Sequence, residues 1–193
     1  MGTPTRRPRS RVRSRLVALT GTPGTGKSAV AQALRPTWSS VEVGDWAASV
    51  GAARRVRGGF EVDLARARIA LETPGKRPSA EILVGHLSHL LPVREVIVLR
   101  CHPEELRRRL RAARRGSAGE QRENYAAEAI DVILTEALRP GRRVWEIDTT
   151  GRTVGSVARE VKRRLSRRGP SEFGRVDWLG DPVVTEHILA RPG

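Results

Sequence analysis

The sequence predicts an α/β fold, a mostly parallel sheet flanked by helices with a nucleotide site at the carboxyl edge of the strands. Three observations lead there. Short apolar runs, LVALT (16–20), EILV (81–84) and VREVIVLR (93–100), alternate with helical patterns, and parallel strands need crossovers that helices usually supply. The first run ends at GTPGTGKS, Gly21 to Ser28, which fits G-x-x-x-x-G-K-[ST] at every fixed position and stands between a strand and a helical segment. A chain of 193 residues, 38% hydrophobic and only 4% aromatic, is long enough for one domain with an aliphatic core.

Residues 1–15, MGTPTRRPRSRVRSR, hold six Arg and no acid. Such a segment repels itself and is expected to be a disordered basic arm. The main domain is expected over 16–168. LVALT reads as its first strand, the segment from Lys27 to Leu34 as a helix, and VEVG (41–44) as a second strand. Asp45 to Gly59 reads as a loose connection leading to a helix in VDLARARIALE (62–72). TPGKRP is a turn cluster, and EILV and VREVIVLR are strands. PEELRRRLRAAR (103–114) is a helix with Pro at its start and acids in its first turn. RRGSAGEQ (114–121) reads as a flexible basic link, and RENYAAEAIDVILTEAL (122–138) as one long amphipathic helix. RRVWEIDTT (142–150) holds the final strand and TVGSVAREVKRRLSRR (153–168) the final helix. Residues 169–193 show no clear period and are expected to be an irregular tail.

There are 36 basic and 21 acidic residues, a net charge of +15. A surface this positive attracts polyanions, RNA first and anionic membrane second. Cys101 is the single cysteine, so no intrachain disulfide forms, which fits a reducing, cytoplasmic setting. No apolar run reaches membrane-spanning length, and the basic N-terminus lacks the apolar stretch of a secretory signal.

The loop's residues suit its chemistry. Gly21, Gly24 and Gly26 let consecutive backbone N–H groups face phosphate oxygens. Lys27 reaches the β- and γ-phosphates of ATP, and the Ser28 hydroxyl is the protein ligand for the Mg²⁺ that accompanies it. The loop alone does not choose among kinase, ATPase and GTPase, although no guanine-reading N-K-x-D is present. A small kinase needs two closing segments. Asp45 to Ala67 is in the place for one over the acceptor, and the Arg-containing stretch from Arg114 to Asn124 for one over the γ-phosphate. The six Arg between Arg107 and Arg115 otherwise read as a solvated helix face.

GTPGTGKS, VEVGDWA, GHLSHLLP, VIVLRCHPEELRRRL, RENYAAEAIDVILTEAL, EIDTTGRT and VDWL occur in an order and spacing that resembles the adenylate kinase isoenzyme 6-like family of archaea and eukaryotes. The resemblance runs from about Leu16 to Leu179. It implies a nucleoside-monophosphate-kinase fold, the reaction ATP + AMP ⇌ 2 ADP, an ATPase side activity, and work in small-ribosomal-subunit maturation with a small-subunit ribosomal protein and pre-ribosomal RNA as partners. It places ATP on Gly21, Gly24, Thr25, Gly26, Lys27, Ser28 and the backbone at Ala29. It places an AMP-side segment near 44–67, with Asp45 and Asp63 as its acids, and a lid near 114–124 whose arginine is Arg115, with Arg114 as the rival. His86 is expected beside the nucleotide in a catalytic or positioning role.

One position departs from the family pattern. The acid that stands two residues before the histidine is here Val84, in V-G-H. An acid there is expected at the strand end beside the loop, to hold Mg²⁺ through water or to position a nucleophile, and Val does neither. Glu81 is three residues back, and strand alternation turns it to the other face. Asp45 and Asp63, in the closing segment, are the acids left to supply charge. Three readings follow: an adenylate kinase, a catalytically weak nucleotide-binding assembly factor, and a kinase of another small metabolite. Elsewhere, His89 is expected to pack, Cys101 to be a buried thiol, His102 to start a helix, and Trp178 to dock the tail on the core.

Overall fold

A computed structural model describes residues 15–35, 37–167 and 169–190. The basic arm expected over 1–15 lies outside the described residues apart from Arg15, whose guanidinium pairs with Glu95. The chain builds strands β1 (Val17–Thr20), β2 (Ser40–Glu42), β3 (Ala53–Val56), β4 (Gly59–Val62), β5 (Ile82–Val84), β6 (Glu95–Arg100) and β7 (Arg143–Asp148). Its helices are α1 (Lys27–Ala33), α2 (Val43–Ser49), α3 (Leu64–Glu72), α4 (Pro103–Ala112), α5 (Ala118–Ala129), α6 (Val132–Ala137), α7 (Val154–Ser166) and α8 (Pro182–Leu189).

Five strands form one sheet in the order β2-β5-β1-β6-β7, every pairing parallel. The α/β expectation holds. The central strands are buried on both faces, which is why they read as continuous apolar runs. Alternation sorts their side chains. Val17, Leu19, Ile82, Val84, Ile97 and Leu99 pack against α1 and α7, while Ala18, Leu83, Val96 and Val98 pack against α2, α3 and α6.

Four expectations are corrected. Asp45 to Gly59 is not loose: it holds most of α2, then an antiparallel hairpin of β3 and β4 turning at Arg57-Gly58. The link expected over 114–121 is a tight turn, with Arg114 at φ 49°, followed at once by α5. Ser117 and Glu120 start that helix with reciprocal caps, each side chain bonding the other's backbone N–H. The long helix expected over 122–138 is two, broken where Asp131 takes a left-handed conformation at φ 59°. The break lets the chain change partners. Tyr125 and Ala129 pack toward the tail, whereas Leu134 and Ala137 turn into the sheet core.

The fourth correction is the tail. Glu172 bridges to Trp145 and extends the β7 edge, with Glu146 N donating to Glu172 O at 2.8 Å and Glu172 N to Val144 O at 2.9 Å. That pairing covers a sheet edge otherwise left with open backbone groups. Asp181 then caps α8, with Pro182 at its first position. Val184 buries its side chain beside Tyr125 and Ala129, and Trp178 packs alongside. Eight residues with one buried anchor show too little periodicity to read as a helix.

Candidate functional site

The loop between β1 and α1 is built as the spacing requires. Gly21, Gly24 and Gly26 take φ of 137°, 99° and 95°. At Gly21 a side chain is excluded twice over, because a Cβ would stand 2.3 Å from Leu99 O besides needing a positive φ. Thr25 is buried and its hydroxyl donates to Thr22 O at 2.9 Å. Lys27 curls back over the loop, its Nζ donating to Gly21 O at 2.7 Å and Thr22 O at 3.0 Å. Ser28 and Ala29 are exposed in the first turn of α1.

The electrostatics centre on Lys27. Although its side chain is only half-buried by area, its ammonium is enclosed, and burial pushes its pKa from 10.5 down to about 8. The carboxylates of Glu42 and Glu128 oppose that shift, and the Arg115 cation adds to it. Arg115, exposed on the turn before α5, is therefore within electrostatic reach of the loop lysine.

Two cavities meet at the strand ends beside the loop. One, about 210 Å³, is lined by Ser28, Gln32, Arg35, Glu42 and Val84 among others. The second, about 280 Å³, runs between Gly44, Asp45, Phe60, Gly85 and His86. Glu42 and Val84 line both and form the wall between them. Val84 is buried, so its isopropyl group closes the position where an acid was expected. Glu81 is turned away, as alternation requires, its carboxylate accepting from Ser39 N at 3.3 Å.

His86 stands at the rim of the second cavity. It is exposed by area, yet desolvation by the surrounding protein and then the nearby Lys27 cation hold its pKa below the ordinary 6.5, so the imidazole is mainly neutral at pH 7. His89 is buried and bonded on both ring nitrogens, Nδ1 to Thr20 Oγ1 at 2.9 Å and Nε2 to Glu136 Oε2 at 2.8 Å. The two acids named for the acceptor side separate. Asp45 lines the second cavity. Asp63 instead caps α3, accepting from Arg66 N at 3.0 Å, and lines a different hollow beside Arg54.

Sequence reasoning passed over the group beneath the loop. Glu128 is buried. Its carboxylate accepts from Thr22 Oγ1 at 2.5 Å, Arg100 Nε at 2.8 Å, Cys101 N at 3.0 Å and Trp178 Nε1 at 3.3 Å. One side chain thus ties the phosphate loop, β6 and the tail together. Arg100 in turn bonds Glu146 Oε1 at 2.7 Å and pairs with Asp131. Nothing local marks Glu128 within the run of α5, because its partners come from three distant segments. Cys101 is buried beside it and its thiol pKa is pushed up to about 12. His102 caps α4, its Nδ1 accepting from Glu104 N at 3.3 Å, and its Nε2 lies 3.1 Å from Asp181 Oδ2 of the tail. Among the described residues no three His, Cys, Asp or Glu side chains cluster as ligands for a metal ion.

Comparison with known proteins agrees with this geometry. A family profile described as an AAA domain matches residues 17–131. A protein of Thermococcus onnurineus named "Putative adenylate kinase" is 39% identical over 166 residues, covering 84% of this chain and 91% of its own. Proteins of the same name from Archaeoglobus fulgidus and Pyrococcus furiosus are 41% identical over 174 residues and 38% over 176, covering 86% and 90% of this chain and 93% and 95% of their own. A solved shikimate kinase from Bacteroides thetaiotaomicron overlays with a TM-score of 0.48 at 14% identity, covering 79% of this chain and 99% of that one, a likeness too distant to carry an assignment. With the loop geometry and relatives matched over more than nine-tenths of their length, the chain belongs to the family of P-loop kinases whose archaeal members bear the name "Putative adenylate kinase".

Proposed function

We propose that this chain is an adenylate kinase that transfers the γ-phosphoryl group of ATP to AMP and yields two ADP. The observation that carries the reading is the pair of cavities that share one wall at the strand ends. Ser28 lines the first and Asp45 and His86 the second, with Lys27 close to both Glu42 and His86. A donor phosphate chain on the loop would then point toward an acceptor held under α2 and the β3–β4 hairpin. In the transfer an AMP phosphate oxygen forms a bond to the γ-phosphorus while the bond to the β–γ bridging oxygen breaks, its electron pair leaving with ADP. The attacking oxygen is already ionised, so the protein's work is positioning and charge neutralisation. Lys27 and Arg115 are the cations for the phosphoryl oxygens, and the neutral His86 offers the acceptor a hydrogen bond without a second charge.

Mg²⁺ bound with ATP supplies charge neutralisation across the β- and γ-oxygens. The donor set fits a hard cation, since the Ser28 hydroxyl and the Glu42 carboxylate line the same cavity. The ATP contacts are Gly21, Gly24, Thr25, Gly26, Lys27, Ser28 and Ala29, the domain spans 16–168, and the closing segments lie near 44–67 and 114–124.

The finer reading places the chain in the isoenzyme 6-like group, with ATP hydrolysis when water replaces the acceptor, in the cytoplasm, and with a role in small-subunit maturation. The net charge of +15 favours an RNA-containing partner. A hollow of about 420 Å³ holds Arg163, Arg164, Arg167 and Arg175, with Glu172 among them pairing with Arg164 and Arg175, and so keeps a net positive charge. No described helix is long and apolar enough to cross a membrane. A second reading, a nucleotide-binding assembly factor with little turnover, is favoured by one observation, the buried Val84 at the position where the resemblance implies an acid.

The test is calorimetric titration with a bisubstrate, two adenosines joined by five phosphates, beside ATP and AMP alone. Binding at one equivalent, tighter than either nucleotide, is expected. Binding no tighter than ATP would mean that the second cavity is not an AMP site.

A further inference from the structure

We propose that Glu42 is the metal-orienting carboxylate of this site, supplied from β2 in place of the acid missing at position 84 of β5. The inference rests on the nucleotide reading above and deepens it.

The argument begins with register. In the parallel pairing of β2 with β5, Glu42 stands directly opposite Val84. Opposed residues on neighbouring strands share a face of the sheet, and the strands lie about 4.8 Å apart. Val84 faces α1, packed with Val30 and Ala31. Glu42 therefore faces α1 as well, and both line the cavity that Ser28 opens onto. A carboxylate on the longer Glu side chain, one strand over, can reach the space that a shorter acid at position 84 would occupy.

Glu42 is also uncommitted. It precedes α2 in the capping position, but its side chain makes no cap bond. Among the described residues no hydrogen bond or ion pair holds it, and its charge is felt by Lys27 across the cavity. Arg35, on the same cavity wall, directs its guanidinium to Ser40 O at 3.5 Å. Lys27 is near enough to feel the Glu42 charge, but among the described residues no direct bond occupies the carboxylate oxygens, which leaves them open to a cation entering the cavity. Magnesium takes few protein ligands and keeps several waters, so one hydroxyl with one carboxylate acting through water suits it. Glu42 is in this account a positioning residue. It also lines the acceptor cavity, so the same carboxylate would keep an anionic acceptor from entering until the metal neutralises it.

The experiment is calorimetric titration of the full chain with a non-hydrolysable imido analogue of ATP, in EDTA and across a series of Mg²⁺ concentrations. The proteins are wild type, Glu42→Gln, the double variant Glu42→Gln/Val84→Glu, and Lys27→Met. Wild type should bind the analogue more tightly with Mg²⁺. In Glu42→Gln the Mg²⁺ concentration needed for half of that gain should rise roughly 10- to 100-fold, the usual effect of removing a group that orients a metal's ligands. Its affinity in EDTA should not fall, because a negative charge beside Lys27 has been removed. The double variant, which moves the carboxylate across the register pair, should regain the Mg²⁺ response. Glu42→Gln responding to Mg²⁺ as wild type does would overturn the inference and leave the nucleotide site standing. Equal weakening with and without Mg²⁺ would overturn it too, since that marks a structural role. So would a double variant that binds in EDTA as wild type does yet gains nothing from Mg²⁺. Wild type that binds no analogue under either condition, or Lys27→Met that binds as wild type, would instead refute the nucleotide reading itself.

Discussion

Replacing Glu128 by Gln perturbs the joint between the phosphate loop and the rest of the molecule with little change in volume. The carboxylate is buried and meets donors from Thr22, Arg100, Cys101 and Trp178. An amide can keep its oxygen toward Arg100 Nε and Cys101 N and turn its NH₂ toward the Thr22 hydroxyl, so most contacts survive. What is lost is the charge. Arg100 keeps Glu146 and Asp131 but loses the negative partner at 2.8 Å. A buried hydrogen bond to a charged group contributes about 1.5–3 kcal/mol, and truncating to Ala, which orphans four donors, would cost more. Taking about 2 kcal/mol and a slope of about 2–4 °C per kcal/mol for a chain of this size, Glu128→Gln should melt about 4–8 °C below wild type. A surface control separates this from charge loss in general. The Arg54–Glu61 pair on the hairpin is largely exposed, and Glu61→Gln should cost at most about 0.5 kcal/mol. Differential scanning calorimetry of the two variants, with ATP titrations on each, makes the comparison. Glu128→Gln should also bind ATP more weakly, because the Thr22 carbonyl and hydroxyl anchor the loop. If both variants melt alike, within about 1 °C of wild type, the buried network does not hold the loop.

Lys27→Met should bind ATP at least 100-fold more weakly by an order-of-magnitude reckoning for a lost phosphate cation, while melting no lower than wild type because an enclosed ammonium has been removed. Calorimetry with wild-type-like affinity would contradict that. The pH dependence of binding follows from the same lysine. Its pKa in the free protein is lowered to about 8, first by burial, and ATP phosphates favour the protonated form. The affinity should therefore hold below pH 7 and fall as pH rises through 8 toward 10. About half a proton should be taken up per ATP at pH 8, measured in buffers of different ionisation enthalpy, and no uptake there would refute the assignment. Val84→Asp alone should lower the melting temperature and not raise turnover, since it sets a second carboxylate beside Glu42. A single variant with faster ATP turnover would contradict the division of labour proposed for this register pair. Trp178→Ala should cost about 1–2 kcal/mol, less than for a fully buried Trp, and weaken ATP binding through Glu128. Unchanged stability on denaturant titration would mean that the tail is not fastened there.

The parts of the fold legible in sequence were those fixed by local spacing. GTPGTGKS announces the loop, the strand before it and the helix after it, because each depends on residues within one turn of chain. α4 was legible from Pro103 and the acids behind it. The parts that were not legible depend on distant partners. α2 begins at Val43-Gly44, poor helix formers that are held by Trp46 in the core and by Phe60 pressed on Gly44. The break at Asp131 lies inside an unbroken amphipathic pattern, and only the change of packing partner explains it. The α8 start was readable in Asp181-Pro182, but its single buried Val184 gave no period. Within the site, the vacancy at position 84 was plain from the V-G-H spacing. The carboxylate facing it was not, because Glu42 meets Val84 only through strand pairing across forty residues of chain.

The central claim is phosphoryl transfer between two nucleotides. The most direct measurement is ³¹P NMR of the full chain with ATP, Mg²⁺ and AMP, repeated with each other nucleoside monophosphate and with no acceptor. The account predicts that ATP and AMP disappear together and two ADP appear for each AMP consumed, faster than with any other monophosphate and faster than phosphate is released from ATP alone. Release of inorganic phosphate at the same rate whether or not AMP is present, with no ADP formed from AMP, would contradict it.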